Sequence, residues 1–183
     1  MENSTITVHP LAESILFSHY RDIRKVFYDV LGQLEIDYLC IALLPIKNEL
    51  LFFSSSPSTE QNMLKHHACL FDSRFQYDFF KQEHVQFWSS RTKLTEFGIG
   101  LSVPSVFNEY RVIYSFASKS IDQKVHNHFV NNIAMFVQIG KFCLRKIIAE
   151  IPSLNDTTQL KPALKLIINN RVCDPALICR TPC

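Results

Sequence analysis

One helical stripe constrains this chain more than any other feature. Phe129, Ile133, Phe136, Val137, Gly140, Leu144, Ile147, Ile148 and Ile151 recur at the spacing that puts apolar side chains on one face of an α-helix, and Pro152 ends the run. Ser120 with Gln123 three residues on reads as a capping-box start, so the predicted helix spans 120–151. Such a face has to be covered by a sheet, another helix or a second chain. Phe142, Cys143 and Ile147 widen the stripe beyond one face, which predicts self-association through this helix. The competing expectation is that the widened flank packs on an N-terminal helix over 21–31 or on residues 160–171.

That N-terminal helix is itself marked by Ile23, Val26, Phe27, Val30 and Leu31 at helical spacing, with Gly32 as the stop. Next, Tyr38 to Leu44 is a nearly continuous apolar run, closed by Pro45 and Lys47-Asn48-Glu49 before Leu50-Leu51-Phe52-Phe53 resumes it, which reads as two paired strands. A second pair is predicted over Gly98–Pro104 and Arg111–Ser118 around a turn at Asn108-Glu109. Between the pairs lie a loop over Ser54–Pro57 and helical candidates over 60–68, 74–82 and 91–96, the last two separated by His84-Val85-Gln86-Phe87-Trp88. This order predicts an α/β chain of the α+β kind. Its central, mostly antiparallel sheet is sandwiched by helices, as in PAS- and GAF-like sensor folds that hold ligands between sheet and insert.

Composition narrows the function classes. With 183 residues the chain holds one main domain and a short appendage, and 15 Phe against 4 Gly describe a dense aromatic interior that suits a lined cavity. The net charge of +2 and the scattered Lys and Arg give no electrostatic footprint for nucleic acid, so no autonomous sequence-specific DNA binding is expected. Met1-Glu2-Asn3-Ser4 lacks the start of a signal peptide and Tyr38–Ile46 is too short to span a bilayer, which predicts a cytoplasmic protein with no membrane partner.

The chemistry of catalysis is likewise missing. No Gly-x-Ser-x-Gly, Gly-rich phosphate loop, dinucleotide fingerprint or His-Glu-x-x-His occurs, so neither an enzyme nor a cofactor is expected. The six Cys follow no regular spacing, and Cys173, Cys179 and Cys183 match no zinc motif. His66-His67-x-Cys69, and His126 with His128, would point in different directions on a helix, so no metal site is expected.

Three residues stand out as candidate binding groups. Asp72 lies among aromatics, where a carboxylate must find a donor or shift its pKa, although a helix N-cap explains it as well. Trp88 is the single tryptophan, either core or pocket wall. Ser115 alternates with Tyr114 and Phe116 and faces either solvent or a cavity.

The stretch Phe97-Gly98-Ile99-Gly100-Leu101-Ser102-Val103-Pro104, with Arg111 to Ser118 and the long helix, resembles the second half of a LuxR-type autoinducer-binding domain. Ser54-Ser55-Ser56-Pro57 resembles that family's Ser-Asn-Tyr-Pro loop, Asp72 its Asp-Pro, and Trp88-Ser89 the tryptophan opening the next segment; the resemblance covers about 20–151. It implies that Asp72 accepts the amide N–H of an acyl-homoserine lactone, that Trp88 packs near the lactone ring, and that Ser115 holds the polar end of the acyl chain. Ser56 stands at the family's tyrosine before the proline, its carbonyl-binding tryptophan falls near Glu60, and its following tyrosine near Leu64.

A standard acyl-homoserine lactone would leave carbonyl oxygens unpaired there, at about 1–3 kcal/mol each, so a lactone-like or other apolar signal molecule is expected. The ligand-binding set is therefore Asp72, Trp88, Ser115, Ser56 and Leu64. The first three are predicted to line one cavity between the sheet and the insert 54–96.

The resemblance also divides the chain into a sensor domain over 1–151 and, over 152–183, a linker with a truncated remnant of a helix-turn-helix, since 160–171 resembles the opening helix of that module. Two readings follow. One is a ligand-sensing, dimerising regulatory module. The other is a ligand-free interaction protein that modulates a full-length regulator. The expected partner is a second copy or that regulator.

Overall fold

The computed structural model describes residues 7–8, 12, 17–44, 49–65, 85–89, 97–107 and 110–150. Their order is β1 (Thr7–Val8), α1 (Tyr20–Tyr28), β2 (Tyr38–Leu44), β3 (Glu49–Ser54), α2 (Pro57–Lys65), β4 (Gln86–Ser89), β5 (Ile99–Phe107), β6 (Tyr110–Ser118), α3 (Gln123–Asn131) and α4 (Ile133–Glu150). The strands form one sheet in the order β1-β3-β2-β6-β5-β4, antiparallel throughout except for the two-residue parallel pairing of β1 with β3. The chain is therefore α+β, as the element order predicts.

The helices lie on both faces, for reasons visible in the residues. On one face α1 and α4 pack on each other, with Ile23, Val26 and Phe27 buried on α1 and Phe136, Gly140, Cys143, Leu144, Ile147 and Ile148 buried on α4. Rings bind this layer to the sheet: Phe136 stands 5.0 Å from Phe116 of β6 and 4.8 Å from Phe129 of α3. On the other face α2 reaches β2 and β3 through Glu60.

Cys143 and Ile147 are thus core residues, and the flank that widens the stripe is met by α1, the competing expectation above. Of the three widening residues only Phe142 is exposed, at 48 %. Lys146 Nζ sits 4.9 Å over its ring and pairs with Asp29 at the end of α1, 3.3 Å away.

Three local expectations are corrected. The helix over 120–151 is two helices, because the side chain of Asn132 donates to the carbonyl of His128 at 2.7 Å and takes the acceptor that a continuous helix gives to the backbone N–H. The N-cap is Asp122, whose carboxylate accepts from Lys124 N at 2.8 Å, rather than Ser120. Residues 86–89 are not a spacer but the edge strand β4, a run too short for periodicity to separate strand from connection.

Helix α2 also begins at Pro57, three residues before the expected start, with proline in the first helical position it favours. The candidates over 74–82 and 91–96, and the segment 152–183, lie outside the described residues. Asp122→Ala is expected to lower stability by about 1 kcal/mol, the usual worth of such a cap, read as a drop of about 2–4 °C in Tm.

Candidate ligand-binding site

The two faces of the sheet are built from different side chains. Register assigns Leu39, Ile41, Leu43, Leu51, Phe53, Leu101, Val103, Val112, Tyr114 and Phe116 to the face covered by α4. The opposite face has a floor of small residues: Ala42 and Cys40 on β2, Ser115 and Ala117 on β6, and Gly100 and Ser102 on β5, all buried. Through its middle runs a single cross-strand row, Ser54–Cys40–Ser115–Ser102–Gln86, one residue from each of five strands.

Rows that mix large and small residues flank it. On one side, Tyr38, Ala117, Gly100 and Trp88 hold matching register positions; on the other, Phe52, Ala42, Ile113 and Pro104 do.

Polar groups on this face satisfy one another. The Ser102 and Ser115 hydroxyls lie 2.8 Å apart in a hydrogen bond in which either can donate. Above the other end of the row, the Tyr38 hydroxyl donates to Glu60 Oε1, which also accepts from Ser54 Oγ at 3.1 Å.

Glu60 is 1 % exposed. Burial of a carboxylate is tolerable because hydroxyl donors converge on it and because it sits in the first turn of α2, where the helix dipole favours negative charge. The chain entering α2 is pinned to the same sheet edge: Leu39 N donates to Ser55 Oγ at 2.9 Å and Ser56 N to Ser54 Oγ at 3.1 Å. Phe97 closes the end near Tyr38, ring to ring at 4.8 Å.

Among the residues singled out in the sequence, Ser115 lies at the centre of this floor. Trp88 is on β4, paired in register with Gly100, and Leu64 is in the last turn of α2. Ser56 is half-buried at the entry to α2, and its hydroxyl bonds Thr59 Oγ1 at 2.8 Å rather than reaching the row. Asp72, and with it the predicted cavity shared by Asp72, Trp88 and Ser115, lies outside the described residues.

The sequence reading did not select Glu60, Tyr38, Ser54 or Ser102 as site residues.

Among the described residues, no group of three or more His, Cys, Asp or Glu is placed to hold a metal. The buried Cys143 thiol has its pKa pushed up to about 12, chiefly by burial, with Lys146 opposing, and so is protonated and unreactive at neutral pH. No described helix is long and apolar enough to cross a membrane.

Neither a protein-family model nor a curated protein matches this chain. Among the solved structures similar to it are these two. The N-acylhomoserine lactone dependent LuxR family transcription factor CepR2 from Burkholderia cenocepacia aligns over 71 % of this chain and 98 % of its own, with 9 % identity and a TM-score of 0.49. Escherichia coli SdiA aligns over 79 % of this chain and 68 % of its own, with 12 % identity and a TM-score of 0.46.

Proposed function

We propose that this chain is a ligand-sensing regulatory domain of the LuxR type, which takes a small, largely apolar signal between the sheet and α2. The observation that carries the reading is the small-residue floor with its polar row, opposed by a helix that presents Glu60. A sheet face meant only to pack against a helix is better served by Leu, Ile and Phe, as the α4 face of this same sheet is. Gly, Ala, Cys and Ser at the centre instead leave room for a guest. Ser115 and Ser102 would hold its polar end. Asp72, Trp88, Ser56 and Leu64 remain in the proposed set through the family resemblance in the sequence. Pairing with a second copy or with a full-length regulator belongs to the same reading, with Phe142 the exposed residue of the α4 stripe.

The second reading, a ligand-free interaction module, draws on the near-complete burial of this face, which a closed core also produces. Mass spectrometry of the denatured protein separates the two. An apolar small molecule is expected to co-purify, and Ala42→Phe, which fills the floor, is expected to abolish it while the variant still folds. Failure to detect any such molecule, together with an Ala42→Phe variant that melts well below the parent because no space receives the ring, would favour the closed interaction module.

A further inference from the structure

Lys and Arg are scattered along the sequence, yet three of them meet on one side of α1. Arg21 and Arg24 are three positions apart and Arg21 and Lys25 four, spacings that make them helical neighbours, and all three are exposed. None forms an ion pair with a described residue. Arg24 is nevertheless held in place: its Nη1 donates to the Tyr20 hydroxyl at 3.1 Å, and its guanidinium stands 5.8 Å from the centroid of that ring. The rest of its donor fork is left for an acceptor.

Beside these cations, α1 and α4 leave a groove of about 720 Å³. The buried Val26 lines it together with Tyr28, which is 75 % exposed. Lys146 of α4 also lines it and is already paired with Asp29 at 3.3 Å. With Glu150, the groove gathers four cations against two carboxylates, a surplus of two that equals the net charge of the whole chain. The remainder of the protein is therefore neutral overall, and its excess charge is concentrated here.

We propose that this groove docks a short acidic segment of a partner protein, its carboxylates on Arg21, Arg24 and Lys25 and an apolar side chain against Val26 and Tyr28. Arginine clusters read acidic motifs through charge-assisted, forked hydrogen bonds, and arginine and tyrosine are among the residues that dominate interface energies. From Tyr20 to Tyr28 the helix rises about 12 Å, the reach of about four extended residues, which sets the length of the segment. Sign decides among occupants. Two copies set groove to groove would oppose surplus charges of one sign, and the chain's own residues 152–183 carry four Lys or Arg against two Asp. The proposal stands whether or not the sheet face holds a ligand.

The test is fluorescence anisotropy of the full chain with a labelled Ala-Asp-Glu-Asp-Leu-Phe-Ala peptide and its uncharged counterpart Ala-Asn-Gln-Asn-Leu-Phe-Ala. At low salt the acidic peptide is expected to bind at least about tenfold more tightly, an advantage that added salt erodes. Lys25→Glu is expected to weaken it about fivefold, and Lys124→Glu, an equal charge change at an exposed position of α3 outside the groove, less than about twofold.

Equal affinity for the two peptides, or no measurable binding of the acidic one, overturns the inference. Equal losses in Lys25→Glu and Lys124→Glu overturn it too, because net charge and not the groove would then be responsible. Displacement of the peptide by an equal concentration of tripolyphosphate would give the groove to a small polyanion, and an oligomeric state that changes with Lys25→Glu would give it to a second copy. Should Lys25→Glu not fold, Lys25→Gln compared with Lys124→Gln decides in its place.

Discussion

Gly140→Ala is expected to destabilise the protein by about 2 kcal/mol, although alanine is the better helix former by about 1 kcal/mol. Gly140 lies inside α4, where its missing side chain leaves room for Tyr114. A Cβ built there would stand 2.4 Å from both Cγ and Cδ1 of that ring and 3.0 Å from its Cβ. The first two distances lie far inside van der Waals contact. The third shows that the ring cannot escape by rotating, because the side chain is already crowded at its root. Tyr114 sits in the middle of β6, paired with Ile41 on one side and Val103 on the other, so its backbone cannot retreat without distorting the sheet.

The helix gain and the steric loss thus compete, and the steric term wins. Thermal unfolding should fall by about 4–8 °C for a domain of this size. The reverse sign is expected once the ring is gone: in a Tyr114→Ala background, Gly140→Ala should stabilise. A Gly140→Ala protein that melts at or above the parent temperature would mean that α4 shifts freely over the sheet.

The same tyrosine has a second consequence. Its hydroxyl is buried without a hydrogen-bond partner among the described residues, and burial pushes its pKa well above the usual phenol range. Its place in the core is due to its ring.

How much of this was legible beforehand depends on the range of the interaction. The helix α1 and the strand pairs follow from local patterns, although α1 ends at Tyr28 with Asp29 as its C-cap, and Gly32, with a φ of +77°, turns the chain beyond the helix rather than stopping it. The Ser102–Ser115 pairing was legible too. Phe107 pairs with Tyr110, so only two residues separate β5 from β6, and counting back from that turn sets 102 opposite 115. The pairing of Cys40 with Ser115 was not, because it joins strands separated by a long stretch of chain, and a slip of one residue would send the whole polar row to the other face.

Glu60 was hidden for a different reason. A glutamate in a short helix of mixed composition is usually solvated, and only its hydrogen bonds to Tyr38 of β2 and Ser54 of β3, distant in sequence or across the turn, put it inside. Asn132 escaped notice because the apolar stripe continues through it unbroken; the side chain, not the pattern, ends α3.

Glu60→Leu is expected to cost about 2.5 kcal/mol, the middle of the range left when the loss of one acceptor for two buried hydroxyls, at about 1–3 kcal/mol each, is offset by about 1–2 kcal/mol of added apolar burial. Those hydroxyls, on Tyr38 and Ser54, lie on adjacent strands and converge on Oε1. Ser54 Oγ also accepts from Ser56 N at 3.1 Å, so its lone pair stays occupied and only its proton loses a partner. Tyr38, with its ring against Phe97, is held in place and cannot swing its hydroxyl to water.

The asymmetry of buried hydrogen bonds then makes a sharper statement than the single variant. Removing both partners of a buried pair is far milder than removing one. Tyr38→Phe should therefore be costly in the wild-type background and nearly neutral beside Glu60→Leu. The double-mutant cycle should return a coupling of at least about 1 kcal/mol. Chemical denaturation with an unchanged m-value measures it. A Glu60→Leu protein as stable as the parent, or additive variants, would show that α2 lifts to let water reach Tyr38. In that event the polar row would belong to an opening surface rather than to an enclosed site.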